Sequence, residues 1–160
     1  MLSKRRKRLS SPRAPSPARL GRRGREPRAS RRVDGAFNLP IGCGVDVVEL
    51  ARLKQAIRRG KQAFMRRIFT SHEAAYARAR RRTTLLHLAG RFAAKEAVLK
   101  AISQVDPKRM PAMSQVEIRN DRLGRPRVVL LDGRANRLQV CVSLSHVDSV
   151  AVASAIVVKR

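Results

Sequence analysis

The chain has 160 residues, of which 37 are Lys or Arg, 11 are Asp or Glu and 43% are hydrophobic. The length suits a single domain, and the apolar share excludes a wholly disordered chain. A formal charge of +26 invites a nucleic-acid reading, but its distribution matters more than its sum.

Residues 1–39 form the first segment. The first 40 positions hold 13 Lys/Arg against 2 Asp/Glu, five of the eight prolines and almost no large apolar side chains. Such a stretch buries too little surface to offset its conformational entropy and is expected to be a disordered basic tail. Four readings stay open for it: an anchor for nucleic acid or anionic lipid, an Arg-rich transit peptide, a solvated tail, or translation from an upstream start. The organised domain is expected over residues 40–160, which still carry an excess of positive charge.

Ile41 to Val47 alternates and predicts a strand, with Ile41, Cys43, Val45 and Val47 on one side and Gly42, Gly44 and Asp46 on the other. Bare backbone beside a carboxylate would admit a metal ion or a phosphate, and the same Asp46 would equally cap the helix that follows. Glu49 to Arg59 has helical spacing, with Leu50, Leu53 and Ile57 inward. A shorter helical piece covers Phe64 to Phe69, and Thr70 to Glu73 makes a capping box that starts a helix reaching about Arg82. Thr84 to Ile102 predicts a long Ala/Leu-rich helix, followed by a loop from Ser103 to Ser114.

Strands are expected at Gln115–Arg119, Arg127–Leu131, Leu138–Leu144 and Val150–Val158. The whole predicts an α+β domain, a largely antiparallel sheet packed with helices. The last strand is the longest apolar run and is far shorter than the roughly 20 residues of a membrane-spanning helix. No secretory signal is expected, and Cys43 and Cys141 have neither disulfide-framework nor zinc spacing, so a reducing cytoplasm is the expected location.

Two further constellations carry chemistry. Phe92, Glu96 and Lys100 recur every four residues along one stripe of the long helix, where Glu96 and Lys100 would also make an ordinary helix ion pair. Ser143-Leu144-Ser145-His146 ends a strand, but without a nucleophile elbow or a placed acid it does not support a hydrolase.

Taken in order, Gly44-Val45-Asp46 with Arg52, Phe69-Thr70-Ser71-His72-Glu73, Arg91-Phe92-Ala93-Ala94-Lys95-Glu96-Ala97 with Lys100, and Ser143-Leu144-Ser145-His146 closely resemble the holo-(acyl carrier protein) synthase family. These are the small, single-unit 4′-phosphopantetheinyl transferases. The resemblance covers about residues 41–160 and implies transfer of the 4′-phosphopantetheine arm of coenzyme A to a serine of an acyl carrier protein, with release of 3′,5′-ADP. It further implies that Asp46 and Glu96 hold Mg²⁺, that Lys100 lies beside the phosphates, and that Arg91 and His146 contact the nucleotide end. Gly124 and Pro126 match a turn that approaches the adenine, and Arg52 matches a contact with the acidic carrier. Family members form trimers with sites at subunit boundaries. One departure is a glycine-free segment after Ala101, where the family continues into a glycine-rich loop. The competing expectations are a basic nucleic-acid-binding module, disfavoured by an aromatic content of 3%, and an inactive homologue of the transferases.

Overall fold

The computed structural model describes residues 40–160; the expectation of a disordered tail over 1–39 falls outside them. Strand β1 (Ile41–Glu49) leads into helix α1 (Leu50–Ile68), then α2 (Ser71–Ala79) and the long α3 (Thr84–Val105). Four strands follow: β2 (Val116–Asn120), β3 (Pro126–Leu130), β4 (Leu138–His146) and β5 (Val150–Lys159). The two helical pieces expected over 49–69 are present within α1, on either side of a kink at Lys61, whose φ of 45° is not helical. The capping box forms as expected, with the Thr70 hydroxyl accepting from the Glu73 amide and the Glu73 carboxylate accepting from the Thr70 amide.

The α+β class with antiparallel pairing holds, but the strands divide into two sheets. One has the order β1-β5-β4, and β2-β3 is a separate hairpin. Register places Gly42, Gly44, Asp46 and Val48 beside Val157, Ala155, Ala153 and Ala151 of β5. Beyond β5, Val140, Val142, Leu144 and His146 complete the same face. Helix α3 lies across this face, and its buried Ala93, Ala94, Ala97, Val98, Ala101 and Ile102 form the middle of the core. Small residues on both sides bring helix and sheet close together.

The alternation in β1 is as expected, but its apolar side is the outer one. Ile41, Val45 and Val47 are 45%, 59% and 62% exposed, and Ile156 of β5 is 52% exposed. The glycine side faces inward because only a side without Cβ atoms admits α3 at this distance. A Cβ on Gly42 would lie 2.0 Å from the Ala101 carbonyl oxygen, and one on Gly44 would lie 2.1 Å from that of Ala97.

Candidate active site

At Gly42 and Gly44, though not at Asp46, the bare face of β1 is closed to a metal or a phosphate. It admits helix α3, and this close approach sets Glu96 and Lys100 beside Asp46. Lys100 Nζ lies 2.9 Å from Asp46 Oδ1 and donates to the Val45 carbonyl at 2.9 Å. Lys100 thus turns to Asp46 rather than to Glu96, the partner that helical spacing offered. Asp46 is not the cap of α1 either, since the helix starts after Glu49 and has no side-chain cap.

Asp46, Glu96, Arg52 and Phe92, with Leu53 and Phe64, line a cleft of about 350 Å³. Burial raises the Glu96 pKa, the Asp46 carboxylate raises it further, and Lys100 acts in the opposite direction. Asp46 and Glu96 at one cleft, with Lys100 drawn to the first of them, are the carboxylates here that could hold a cation. Among the described residues no cluster of three or more metal-ligating side chains exists. A cation held here would take its remaining ligands from water or substrate oxygens, which suits a hard divalent ion such as Mg²⁺.

Helix α3 runs three residues past its expected end at Ile102, so 103–105 belong to it and the expected loop begins at Asp106. Gln104 closes the outer edge of β1: its carboxamide accepts from the Cys43 amide at 3.1 Å and donates to the Cys43 carbonyl. Lys95, in the most distinctive sequence motif, is structural. Fully buried, it pairs with Glu73 at 2.6 Å and donates to the carbonyls of Ile68 and Met113. Glu73 in turn accepts from the Ile118 amide, so one buried pair joins α2, α3 and β2.

Arg91, Gly124, Pro126 and His146 all line a second pocket, of about 220 Å³. Gly124 has φ 79° in the β2–β3 turn, a conformation that favours glycine. Sequence reasoning missed three other lining residues: Tyr76, His87 and Asn120. Asn120 accepts from Arg91 Nη2 at 2.8 Å and donates to the Gly124 carbonyl at 2.7 Å, joining helix and turn. Its position in the Asn-Asp turn was the available signal, and it pointed only to the turn. Burial lowers the His87 pKa, and the charges of Arg91, Arg80 and His146 lower it further.

The two pockets share no lining residue. Arg91 and Glu96 stand five residues apart on α3, roughly 140° around the helix and about 7.5 Å along it. The cleft lined by Asp46 and Glu96 and the pocket lined by Arg91 and His146 thus lie on different flanks of the same helix.

The sequence pattern of the 4′-phosphopantetheinyl transferase superfamily matches residues 42–155. A holo-[acyl-carrier-protein] synthase of Ruminiclostridium cellulolyticum is 39% identical over 121 residues, covering 71% of this chain and 89% of that protein. One from Moorella thermoacetica is 40% identical over 124 residues, covering 73% and 93%. Among solved structures, an ACPS–CoA complex from Chronobacterium ammoniagenes superposes with a TM-score of 0.65 at 28% identity, covering 75% of this chain and 98% of that one. The holo-(acyl-carrier-protein) synthase of Bacillus anthracis, in complex with CoA (3′,5′-ADP), gives 0.62 at 30% identity, covering 76% and 98%.

Proposed function

The chain belongs to the 4′-phosphopantetheinyl transferase superfamily, and from that premise we propose that it moves the 4′-phosphopantetheine arm of coenzyme A onto a serine of an apo acyl carrier protein. The serine oxygen bonds to the phosphorus that carries the pantetheine, the bond from that phosphorus to the bridging oxygen breaks, and 3′,5′-ADP leaves with that oxygen. The observation that carries this reading is the meeting of Asp46 and Glu96 at one cleft, with Lys100 paired to Asp46.

Such a transfer needs positioning and cancellation of negative charge more than covalent catalysis. Asp46 and Glu96 would hold Mg²⁺, which supplies charge neutralisation on the pyrophosphate when bound. Without a cation the two carboxylates would repel that group. Lys100, now paired with Asp46, has a flexible stem and is placed to neutralise the leaving phosphate. Glu96, whose pKa burial raises, is a fitting acceptor for the serine proton. Arg91, His146, Gly124 and Pro126 would take the nucleotide end of CoA.

A homotrimer reconciles the two separate pockets, with the Asp46–Glu96 cleft of one chain facing the Arg91–His146 pocket of the next. The exposed apolar face of Ile41, Val45, Val47 and Ile156 is what further copies would cover. Arg52, on the rim of the acidic cleft, and the neighbouring Arg58, Arg59, Arg66 and Arg67 would dock the acidic carrier. A reducing cytoplasm suits the two exposed thiols, Cys43 and Cys141. The test is to incubate the protein with CoA, Mg²⁺ and an apo carrier protein. A carrier mass increased by one phosphopantetheine arm, with equimolar 3′,5′-ADP, supports the reading. An unmodified carrier refutes it.

A further inference from the structure

Strand β1 is an edge of its sheet, and along its outer side α3 supplies partners of the kind another strand would. Gln104 accepts from the Cys43 amide and donates to the Cys43 carbonyl. One helical turn earlier, Lys100 Nζ donates to the Val45 carbonyl and to Asp46 Oδ1, each at 2.9 Å. The two side chains differ in what they hold. Gln104 bonds to backbone throughout, whereas Lys100 also occupies a carboxylate of the cleft that could hold a cation.

Lys100 is held loosely. Its side chain is 52% exposed and that of Asp46 17%. An ion pair this open to water is weak, and a flexible four-carbon stem carries the ammonium to other acceptors without moving the helix. A metal ion at Asp46 and an ammonium 2.9 Å from the same carboxylate repel one another. The lysine must withdraw as the metal enters, and withdrawal gives up both of its acceptors. An anion bound nearby replaces them.

Resting on the transferase reading above, we infer that Lys100 is the resting counter-ion of Asp46 and makes the binding of Mg²⁺ and of CoA interdependent. In the empty cleft the lysine competes with the metal for Asp46. A phosphate of CoA draws the lysine away, and Asp46 is then open to the metal. By linkage the converse holds, and a metal at Asp46 releases the lysine for the phosphate. The lysine thus keeps the metal from the empty cleft and lets metal and CoA enter as a pair. The Gln104 contacts touch neither Asp46 nor the ammonium, and they keep the edge of β1 on α3 while the lysine moves.

The experiment measures Mn²⁺ binding, as a spectroscopic stand-in for Mg²⁺, by electron paramagnetic resonance. Wild type, Lys100→Met and Gln104→Ala are each titrated without CoA and with saturating CoA. Without CoA, Lys100→Met should bind Mn²⁺ about three- to fivefold tighter than the wild type, the fold-change that corresponds to losing a competing exposed ion pair. CoA should tighten Mn²⁺ binding in both proteins through its own phosphate oxygens, but less in Lys100→Met, by about the same factor. Lys100→Gln, a second neutral variant, should agree with Lys100→Met. Gln104→Ala leaves Lys100 and Asp46 in place and should bind Mn²⁺ as the wild type does. The inference is overturned if the neutral variants bind Mn²⁺ no tighter than the wild type, or if CoA enhances binding equally in all. It is overturned too if Gln104→Ala matches Lys100→Met, which would assign the effect to a loosened strand edge. Carrier modification by the wild type is measured in parallel. Its absence, with the Lys100 effect on Mn²⁺ intact, would refute the transferase reading and leave the counter-ion role standing.

Discussion

Lys100 Nζ stands 2.9 Å from Asp46 Oδ1, joining the end of the glycine-lined strand to the stripe of α3 that also carries Glu96. The lysine occupies one side of a carboxylate pair that repels itself. Asp46→Asn and Glu96→Gln should each lower transfer at limiting Mg²⁺ by about 100-fold or more, in line with loss of a group that positions charge in the transition state. Wild-type rates in both variants would overturn the metal assignment.

Glu96→Gln should also stabilise the protein. The folded-state pKa of Glu96 is raised, by burial first and then by Asp46. The native state therefore holds this proton to higher pH than the unfolded chain does. Folding stability then falls as pH rises from the ordinary glutamate value, about 4.5, through the raised one. Above that window the variant is relieved of a half-buried charge and should melt higher than wild type. Below about pH 4 both carry a neutral group, and the gain should vanish. Thermal melts at pH 4 and pH 8 check both halves, and an equal gain at the two pH values would contradict the assignment.

Gly44→Ala tests why the site assembles. Its Cβ would meet backbone, the Ala97 carbonyl oxygen at 2.1 Å, so strand or helix must shift. A destabilisation of about 1–3 kcal/mol is expected, with a loss of activity exceeding what the unfolded fraction explains, because Glu96 sits next to Ala97. Chemical denaturation and turnover on the same sample check it.

The Glu73–Lys95 pair is fully buried. Glu73→Gln or Lys95→Met alone should cost about 3–5 kcal/mol, and the double variant less than the sum of the two, because neither leaves an unpaired charge when both are replaced. A denaturation cycle over the four proteins reads this coupling.

Much of this molecule is legible in its sequence, for identifiable reasons. The alternation of β1, the Thr70–Glu73 capping box and the Ala/Leu run of α3 are local patterns, and local patterns survive into the fold. The motif order also named Arg91, Gly124, Pro126 and His146, which the structure collects in one pocket. What was not legible depends on partners distant in sequence. Nothing near Ile41 or Val45 says that α3 will take the glycine face and leave the apolar one outside. Glu73 is fully explained locally as a cap residue, which conceals its pairing with Lys95. Asn120 reads as a turn former until Arg91 is seen to donate to it.

Arg52 lines the Asp46–Glu96 cleft from α1, which also carries Arg58, Arg59, Arg66 and Arg67. Arg52→Glu should raise KM for the acidic carrier strongly and KM for CoA little. Salt should weaken the wild type more than the variant, since surface charges are screened over about 8 Å at physiological ionic strength. Kinetics at two salt concentrations check it; equal effects on the two substrates would indicate a merely solvated basic face.

An active centre shared between chains has a consequence that a centre within one chain lacks. Asp46→Asn disables the acidic half and Arg91→Ala the basic half, and each variant alone should transfer little at limiting CoA. Coexpressed in equal amounts, they should form mixed trimers in which about a quarter of the boundaries join two intact halves, as head-to-tail interfaces require. Carrier modification by the mixed protein at about a quarter of the wild-type rate is the expected result. A mixture as inactive as the two variants separately would show that Asp46 and Arg91 do not meet across a subunit boundary.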